Sequence, residues 1–115
     1  MAFEPDKLLW IEHALKAWIE AHRPAEHIRK DLDLGYRIDK QSVFLFEIRP
    51  RWDRPAEKHE TPVAKATYVR TQNIWRVFWM RADLRWHGYD PQPEVETLEQ
   101  FLDLVEEDFY GCFFG

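Results

Sequence analysis

Residues 32–50 read LDLGYRIDKQSVFLFEIRP, and the hydrophobic pattern of this stretch decides the fold. Apolar and polar residues alternate up to Asp39, and a second strand-like segment runs from Val43 to Arg49 after a short polar turn. A period of two is typical of a half-buried strand, whereas a helix repeats about every 3.6 residues. The stretch therefore predicts two antiparallel strands joined by a turn.

The apolar rows of these two strands set the predicted register. We expect the row of Phe44, Phe46 and Ile48 to face the core, because a slip of one residue would turn an apolar row outward. In this register Gly35 lies opposite Glu47. A glycine at that position would leave room for a pocket above the carboxylate.

A second pair of strands is predicted from Val63 to Thr71 and from Ile74 to Arg81. The two segments are separated by Gln72-Asn73, and asparagine tolerates the positive φ that a two-residue hairpin requires. This turn places Ala66 opposite Trp79, so that a small residue lies across from an indole.

Two further segments lack any hydrophobic period. Residues 50–62 hold three prolines, and residues 82–93 are rich in aromatic and turn residues. Proline lacks the amide proton that a central strand donates, so we predict that both segments are loops.

Helices are predicted at both ends of the chain. Between Pro5 and Pro24 the apolar residues recur at helical spacing, and Pro5 suits the first helical position. A capping box at residues 97–100 opens a second amphipathic helix, which we expect to end at Gly111. The apolar tail at residues 112–115 is expected to dock on the body of the protein, because its side chains are too apolar to stay in water.

These elements predict an α+β fold with an N-terminal helix, a four-stranded antiparallel meander and a C-terminal helix, both helices lying on one sheet face. The chain of 115 residues has the size of one domain, so we expect a single domain over residues 1–115. The expected core consists of Leu8, Ile11, Leu15, Trp18, Leu34, Tyr36, Phe44, Phe46, Ile48, Tyr68, Trp79, Phe101, Leu102 and Val105.

The amino-acid composition indicates which classes of protein the chain can belong to. Hydrophobic residues make up 45% of the chain and charged residues 32%, which favours a packed core over a disordered chain. The net charge is −5, with seven acids and no base in residues 91–115, so general affinity for nucleic acid is not expected. The single cysteine forms no internal disulfide, and neither a secretion signal nor a long apolar run is evident. We therefore expect a reducing cytoplasm and no membrane association.

Several motifs resemble those of a known family. They are Glu47-Ile48-Arg49-Pro50 with Trp52, Pro62-Val63-Ala64-Lys65, Trp75-x-x-x-Trp79-x-Arg81-Ala82-Asp83-x-x-Trp86-His87-x-Tyr89, and Asp108-x-Tyr110-Gly111-Cys112-Phe113-Phe114-Gly115. Together they resemble the bacterial domain-of-unknown-function family 3024. The resemblance implies a single self-contained domain, and it brings no established activity.

Glu47 is the most informative acid, because acids are depleted in strands. One interpretation is an ion pair with Lys65 or Arg81, which would neutralise the carboxylate on the sheet surface. The other is a pocket in which Lys65, on the same polar face, shares a ligand with Glu47.

Arginines and an indole form a second candidate group. Arg49 is followed by Trp52, with Arg51 and Arg54 beside it. Arginine binds carboxylate or phosphate through two parallel hydrogen bonds, and an adjacent indole offers a stacking surface. The structural alternative is an ion pair between Arg49 and Asp33, with Trp52 covering the sheet edge.

Asp83, Trp86 and His87 form a third candidate group. His87 near Asp83 has the residue types of a general base oriented by a carboxylate, and a structural histidine is the simpler alternative. The histidines have no compact metal-ligand spacing, and the chain has no glycine-rich phosphate loop. We therefore predict neither a metal site nor a cofactor.

The combined prediction is a non-catalytic binding domain that recognises a small anionic or aromatic ligand, or a partner protein, through a polar sheet face. Nucleic acid is not expected as a partner, and single strands are the one form that such residues suit. The alternative is a metal-dependent, nuclease-like hydrolase using Glu47 and Lys65, which needs a second carboxylate such as Glu60 or Asp83. The predicted ligand-binding residues are Glu47, Arg49, Trp52, Lys65, Arg81, Asp83, Trp86 and His87.

Overall fold

A computed structural model describes residues 3–108 and 111–114 of the chain. It contains an antiparallel sheet with two α-helices, α1 (Pro5–His22) and α2 (Leu98–Glu107), packed on the same face. A short 3-10 helix, Glu26–Ile28, precedes the sheet. The predicted α+β fold, in which one helix precedes the strands along the chain and one follows them, is confirmed. The strands are β1 (Asp33–Asp39), β2 (Ser42–Pro50), β3 (Lys58–Val69), β4 (Ile74–Met80), β5 (Trp86–Gly88) and β6 (Glu94–Val95).

Over the described residues the sheet has six strands, where four were predicted. Its order is β1-β2-β3-β4-β5, and β6 pairs with β4 in addition. Residues 82–93, predicted as a loop, supply β5, which returns along β4 and pairs Trp86 with Met80. A strand of three residues is too short to show a hydrophobic period, so the pattern did not reveal it.

The boundaries of α1 follow from its two flanking prolines. Pro5 occupies the first turn, where the amide proton that proline lacks would have no partner within the helix. Arg23 has an extended backbone with ψ of 143°, because a residue that precedes a proline is disfavoured in the helical region. The buried side of α1 agrees with the predicted helical spacing and consists of Ile11, Leu15, Trp18 and Ile19.

The β1–β2 hairpin differs from the predicted register by one residue. Lys40 adopts a φ of 55° in a two-residue turn, one residue shorter than the predicted turn. Gly35 consequently lies opposite Phe46. The predicted pairing of Gly35 with Glu47 was wrong, so Gly35 does not provide space above that carboxylate.

This register also exchanges the two faces of β2. Val43 and Leu45 are buried beneath the helices, whereas Phe44, Phe46 and Ile48 lie on the other side of the sheet. Both rows are apolar, so the hydrophobic pattern fits either orientation and the length of the turn decides between them. The prediction that the Phe44 row faces the core was wrong.

Gly35 provides space for the ring of Phe46. A Cβ atom added at Gly35 would lie 2.5 Å from Cε2 of Phe46 and 3.3 Å from Cδ1 of Ile48. We expect Gly35→Ala to lower the free energy of unfolding by about 1–3 kcal/mol, because a packed ring must shift. Gly88→Ala is the matched control, since an added Cβ there has nothing within 4 Å. Equal urea midpoints for the two variants would contradict this expectation.

β3 begins earlier than predicted and contains a bulge. It starts at Lys58, inside a segment predicted to be a loop, because its pairing with β2 continues as far as Pro50. The pairing shifts between Leu45 and Phe46 of β2, which leaves Val63 as an extra residue on β3. The connecting loop of this hairpin is correspondingly short.

The β3–β4 hairpin has a longer turn than predicted. Residues 70–73 connect the two strands, and Asn73 adopts a φ of 52°. Trp79 lies opposite Ala64 and not Ala66. A shift of two residues keeps every side chain on its predicted face of the sheet. The predicted faces were therefore right, although the predicted cross-strand residue pairs were wrong.

α2 begins at the predicted capping box. The Thr97 hydroxyl accepts the Gln100 N–H at 3.2 Å, and the Gln100 side-chain oxygen accepts the Thr97 N–H at 3.2 Å. The helix ends at Glu107, earlier than the predicted stop at Gly111, because Asp108 adopts a left-handed conformation with a φ of 40°.

The apolar tail docks on the body through Phe113. This side chain is 8% exposed, and its ring centroid lies 4.8 Å from that of Tyr89. The Asp108 carboxylate accepts the N–H groups of Phe113 and Phe114 at 2.9 and 2.7 Å, while the Phe114 side chain is exposed. Docking is therefore confirmed for Phe113, and residues 109–110 lie outside the described residues.

The core lies between the two helices and one face of the sheet. Predicted members found in it are Ile11, Leu15, Trp18, Phe101, Leu102 and Val105. Predicted members that are half-buried against it are Leu8, Leu34, Tyr36, Tyr68 and Trp79. Core residues that the prediction omitted are Phe3, Ile19, Val43, Leu45, Val63, Ala64, Ala66, Trp75, Val77, Tyr89, Val95, Leu98 and Phe113. Neither α1 nor α2 is long and apolar enough to cross a membrane.

Candidate functional site

The predicted site residues do not form one surface. Glu47 lies opposite Leu34 on the side of the sheet that the helices cover, whereas Lys65 lies opposite Phe44 on the other side. The prediction that Glu47 and Lys65 share a polar face was wrong, and the nuclease-like alternative loses the geometry that it requires. Within the described residues, no group of three or more His, Cys, Asp or Glu side chains is arranged to hold a metal ion.

The ion pairs also differ from the predicted ones. The Glu47 carboxylate lies 3.4 Å from Nη2 of Arg49, and not beside the predicted Lys65 or Arg81. Arg49 was expected to pair with Asp33. Asp33 instead accepts two hydrogen bonds from Arg23, at 2.9 and 2.8 Å.

The side of the sheet opposite the helices carries an apolar and aromatic surface. Both described helices pack on the other face, so these side chains have no helix above them. Phe46 on this side is only 8% exposed and the other large apolar side chains are half-buried, so they form a partly accessible apolar surface that is a candidate site for a ligand or a partner. We call this surface the open face and define it by Phe44, Phe46, Ile48, Lys65, Phe78 and Trp86.

Lys65 lies among three aromatic rings on the open face. Its Nζ is 5.2 Å from the ring centroid of Phe78, 5.5 Å from that of Phe44 and 6.0 Å from that of Trp86. These distances are within the range of cation–π attraction. No ion pair to Lys65 forms in the described part of the chain, so its positive charge is available to a ligand.

A depression of about 250 Å³ lies beside this aromatic group. Arg37 is at its rim, where it forms an ion pair with Glu60 at 2.8 Å and lies 5.2 Å from the ring of Phe46. The depression therefore combines apolar walls with a charged rim. Its lining residues are Arg37, Phe44, Leu45, Phe46, Glu60, Pro62 and Trp86.

Asp83 and His87 form a hydrogen-bonded pair at the edge of the sheet. The Asp83 carboxylate lies 2.9 Å from Nε2 of His87 and accepts the Arg85 N–H at 3.0 Å. The hydrogen bond to His87, more than that to Arg85, holds the pKa of Asp83 below its ordinary value. His87 lies opposite Trp79 and so on the other side of the sheet from Lys65. Within the described part of the chain, Asp83 is the hydrogen-bonding partner of the His87 side chain.

Trp52 and Arg81 lie apart from the open face. Trp52 is 93% exposed at the tip of the β2–β3 hairpin, and the guanidinium of Arg81 lies 5.5 Å from the ring of Trp79. The structure therefore brings together three separate pairs from the predicted site, which are Lys65 with Trp86, Asp83 with His87, and Glu47 with Arg49.

Comparison with known proteins agrees with the motif resemblance. A family model described as Domain of unknown function (DUF3024) matches residues 5–115. The chain belongs to the DUF3024 family. Neither a curated protein nor a solved structure matches it.

A second pocket of this DUF3024 domain lies where the C-terminal ends of α1 and α2 approach the sheet. Its volume is about 230 Å³. The sequence identified Glu47 as a candidate site residue and Trp18 as a core residue, but it did not connect Trp18 with His22, although their spacing of four residues places them on one helix face. We call it the helix-end pocket, and it is lined by Trp18, His22, Pro24, Leu32, Leu34, Glu47, Glu106 and Phe114.

Trp18 and His22 form the wall of the helix-end pocket on α1. Their ring centroids are 4.2 Å apart with an interplanar angle of 20°. The His22 Nδ1–H donates to the carbonyl oxygen of Trp18 at 2.7 Å, and Nε2 lies 3.1 Å from Oε1 of Glu106. The buried indole N–H of Trp18 has no acceptor among the described residues, a loss that costs about 1–3 kcal/mol in typical proteins.

The Arg23–Asp33 ion pair joins the end of α1 to β1 and makes stability dependent on pH. The hydrogen bonds from Arg23 hold the pKa of Asp33 below its ordinary value of 3.8. A carboxyl group with a lowered folded-state pKa stabilises the fold above its unfolded pKa, and this contribution is lost as the pH falls through the folded-state pKa. We expect Asp33→Asn to be less stable than the wild type at pH 7, with the deficit shrinking below pH 3.8.

The exposed acid Asp90 provides the control for this pH dependence. Asp90→Asn should lack the deficit of Asp33→Asn at pH 7, because none of the ion pairs among the described residues includes Asp90. Urea unfolding across acidic and neutral pH measures both variants. A deficit of Asp33→Asn that stays constant with pH would contradict the assignment.

Proposed function

We propose that this DUF3024 domain is a non-catalytic binding module, whose open face takes a small ligand that joins a flat aromatic group to an acidic group. The observation that carries the proposal is the ammonium of Lys65, which lies among three aromatic rings without an ion-pair partner in the described residues. A binding surface of this kind combines an apolar site for the body of the ligand with one charged group that orients it.

The aromatic part of the ligand is inferred from the rings. Phe44, Phe78 and Trp86 are each half-buried, so part of each ring stays accessible on the open face. Aromatic pairs contribute about 0.5–1.5 kcal/mol beyond the area that they bury. The depression walled by Phe44 and Trp86 supplies the space for such a group, and Lys65 is not part of its lining but lies within 5.5 and 6.0 Å of the centroids of these two rings.

The acidic part of the ligand is inferred from Lys65. An ammonium that sits between rings is partly shielded from water, and this strengthens a hydrogen bond to a carboxylate or phosphate. Glu60 already neutralises the nearby Arg37, which limits the open face to a short anion. A long single-stranded nucleic acid needs several free cations along its path, so a small ligand fits this surface better.

Lys65→Met tests the proposal, because it removes the charge and keeps an apolar chain between the rings. A thermal-shift screen of mononucleotides, short single-stranded oligonucleotides and aromatic carboxylates identifies the compounds that stabilise the wild type. We expect their affinity for Lys65→Met to fall about tenfold or more, since a hydrogen bond to a charged group contributes about 1.5–3 kcal/mol.

Arg49→Ala provides the control on the opposite side of the sheet. Arg49 pairs with Glu47 and contributes nothing to the open face, so this variant should bind like the wild type. The proposal fails if no compound in the screen stabilises the wild type, or if Lys65→Met and Arg49→Ala respond alike.

A further inference from the structure

The helix-end pocket has the chemistry of a second binding site, independent of the open face. It lies on the helix-covered side of the sheet, whereas Lys65 lies on the other side. Its walls include the apolar side chains of Leu32, Leu34 and Pro24. The acidic groups in the lining are Glu47 and Glu106.

Glu47 is the more enclosed of the two acids. Its side chain is 18% exposed, and its nearest charged partner is Arg49 at 3.4 Å. That distance is longer than the roughly 2.7–2.9 Å of a strong charge-assisted hydrogen bond. The Glu47 carboxylate therefore has capacity for a second, better-placed donor.

His22 does not provide that donor. Its Nδ1–H donates to the Trp18 carbonyl oxygen at 2.7 Å, and its Nε2 faces Glu106 at 3.1 Å. Stacking of the imidazole on the Trp18 indole, at 4.2 Å between centroids, further holds the ring in place. The two ring nitrogens of His22 thus contact Trp18 and Glu106. Neither nitrogen donates to Glu47, whose carboxylate can accept a hydrogen bond from a ligand in the pocket.

The backbone adds to the negative potential of the helix-end pocket. Trp18 and His22 lie in the last turns of α1, and Glu106 lies in the last turn of α2, so two helix C-termini converge there. A helix C-terminus carries a partial negative charge that favours cations. The last turn of α2 has no basic residue, and that of α1 contains His22, whose Nε2 faces Glu106 and not Glu47.

We propose that the helix-end pocket binds a small organic cation, a primary amine carried on an apolar or aromatic body. The ammonium group donates to the Glu47 carboxylate, and the body of the ligand packs against Leu34 and the other apolar walls. A pocket of about 230 Å³ is smaller than a typical drug-sized site of about 300–1,000 Å³, which limits the ligand to a small molecule.

Titration with 2-phenylethylamine tests this inference, and 2-phenylethanol is the neutral compound of nearly the same shape. Nuclear magnetic resonance of the full chain follows the indole N–H of Trp18 and the ring of His22. We expect the amine to shift both signals and to bind at least about tenfold more tightly than the alcohol. Added salt should weaken binding of the amine and leave that of the alcohol unchanged.

Glu47→Gln keeps the shape of the side chain and removes its charge. We expect the affinity for 2-phenylethylamine to fall about tenfold in this variant and the affinity for 2-phenylethanol to stay the same. Glu99→Gln, an exposed position on α2 outside the pocket, should bind the amine like the wild type. Lys65→Met should do so as well, which separates this site from the open face.

The inference is overturned if the amine and the alcohol bind equally, or if neither binds at millimolar concentration. It is also overturned if Glu47→Gln and Glu99→Gln bind the amine alike. Circular dichroism of each variant confirms that the fold is kept, so a loss of binding reports on the pocket.

Discussion

A Leu45→Asp variant is expected to be unfolded at neutral pH. Leu45 is 2% exposed and lies in the core beneath the helices. Removing a buried leucine side chain costs about 2–5 kcal/mol, and burying an unpaired carboxylate costs several kcal/mol more. Because a domain of this size has a net stability of about 5–15 kcal/mol, the sum is comparable to the whole. Far-ultraviolet circular dichroism and one-dimensional proton spectra measure the loss of structure.

Phe44→Asp changes the adjacent residue of the same strand and is the control. Phe44 lies on the open face, where an aspartate reaches water and approaches the ammonium of Lys65. We expect this variant to stay folded and to lose ligand binding at the open face. If Phe44→Asp unfolds and Leu45→Asp folds, the two faces of β2 are assigned the wrong way round.

Deletion of residues 112–115 is expected to lower the melting temperature by on the order of 10 °C or more. The deletion removes the buried ring of Phe113 from its contact with Tyr89 and leaves the Asp108 carboxylate without the two N–H groups that it binds. Loss of a buried phenylalanine ring costs about 3–5 kcal/mol. In a domain this small, each kcal/mol corresponds to several degrees. Differential scanning calorimetry measures the shift.

Two point variants measure how much the rings of Phe113 and Phe114 each contribute to the stabilisation of the fold by the tail. Phe113→Ala should reproduce most of the shift, whereas Phe114→Ala should change the melting temperature little, because that side chain is 42% exposed. A deletion that melts at the wild-type temperature would mean that the Phe113 contact contributes nothing to stability.

The elements of the fold were largely predictable, because local signals specify them. The α1 helix has a proline at each end and apolar residues at helical spacing, and α2 has a complete capping box. These signals involve residues within one or two helical turns of each helix end, and they do not depend on contacts with distant segments. The short strand β5 was missed for the converse reason, since its pairing with β4 defines it.

The strand registers were not predictable from the pattern of apolar residues. Phe44, Phe46 and Ile48 form one apolar row of β2, and Val43 and Leu45 begin the other. A strand with two apolar rows has no preferred face of its own, so the two-residue turn at Lys40 and the position of the helices decide.

The predicted site residues lie on two different faces of the sheet for the same reason. Sequence reasoning identified Glu47, Lys65 and Trp86 as informative, and the structure places Lys65 with Trp86 but puts Glu47 on the opposite side of the sheet. One residue of register separates these two arrangements, because neighbouring side chains in a strand point to opposite faces. The positions of Glu47 and Lys65 along the chain therefore do not reveal whether the two side chains share a face of the sheet.

Local signals in the chain specify the α+β fold, the positions of α1 and α2, and the docking of the apolar tail. Those features depend on interactions between residues close in sequence, or on apolar area that any compact fold must bury. The buried face of β2, the pairing of the charged side chains, and the pocket that the ends of α1 and α2 form with Glu47 depend on long-range packing. Each of these depends on a pairing between distant segments, for which competing registers bury similar apolar area.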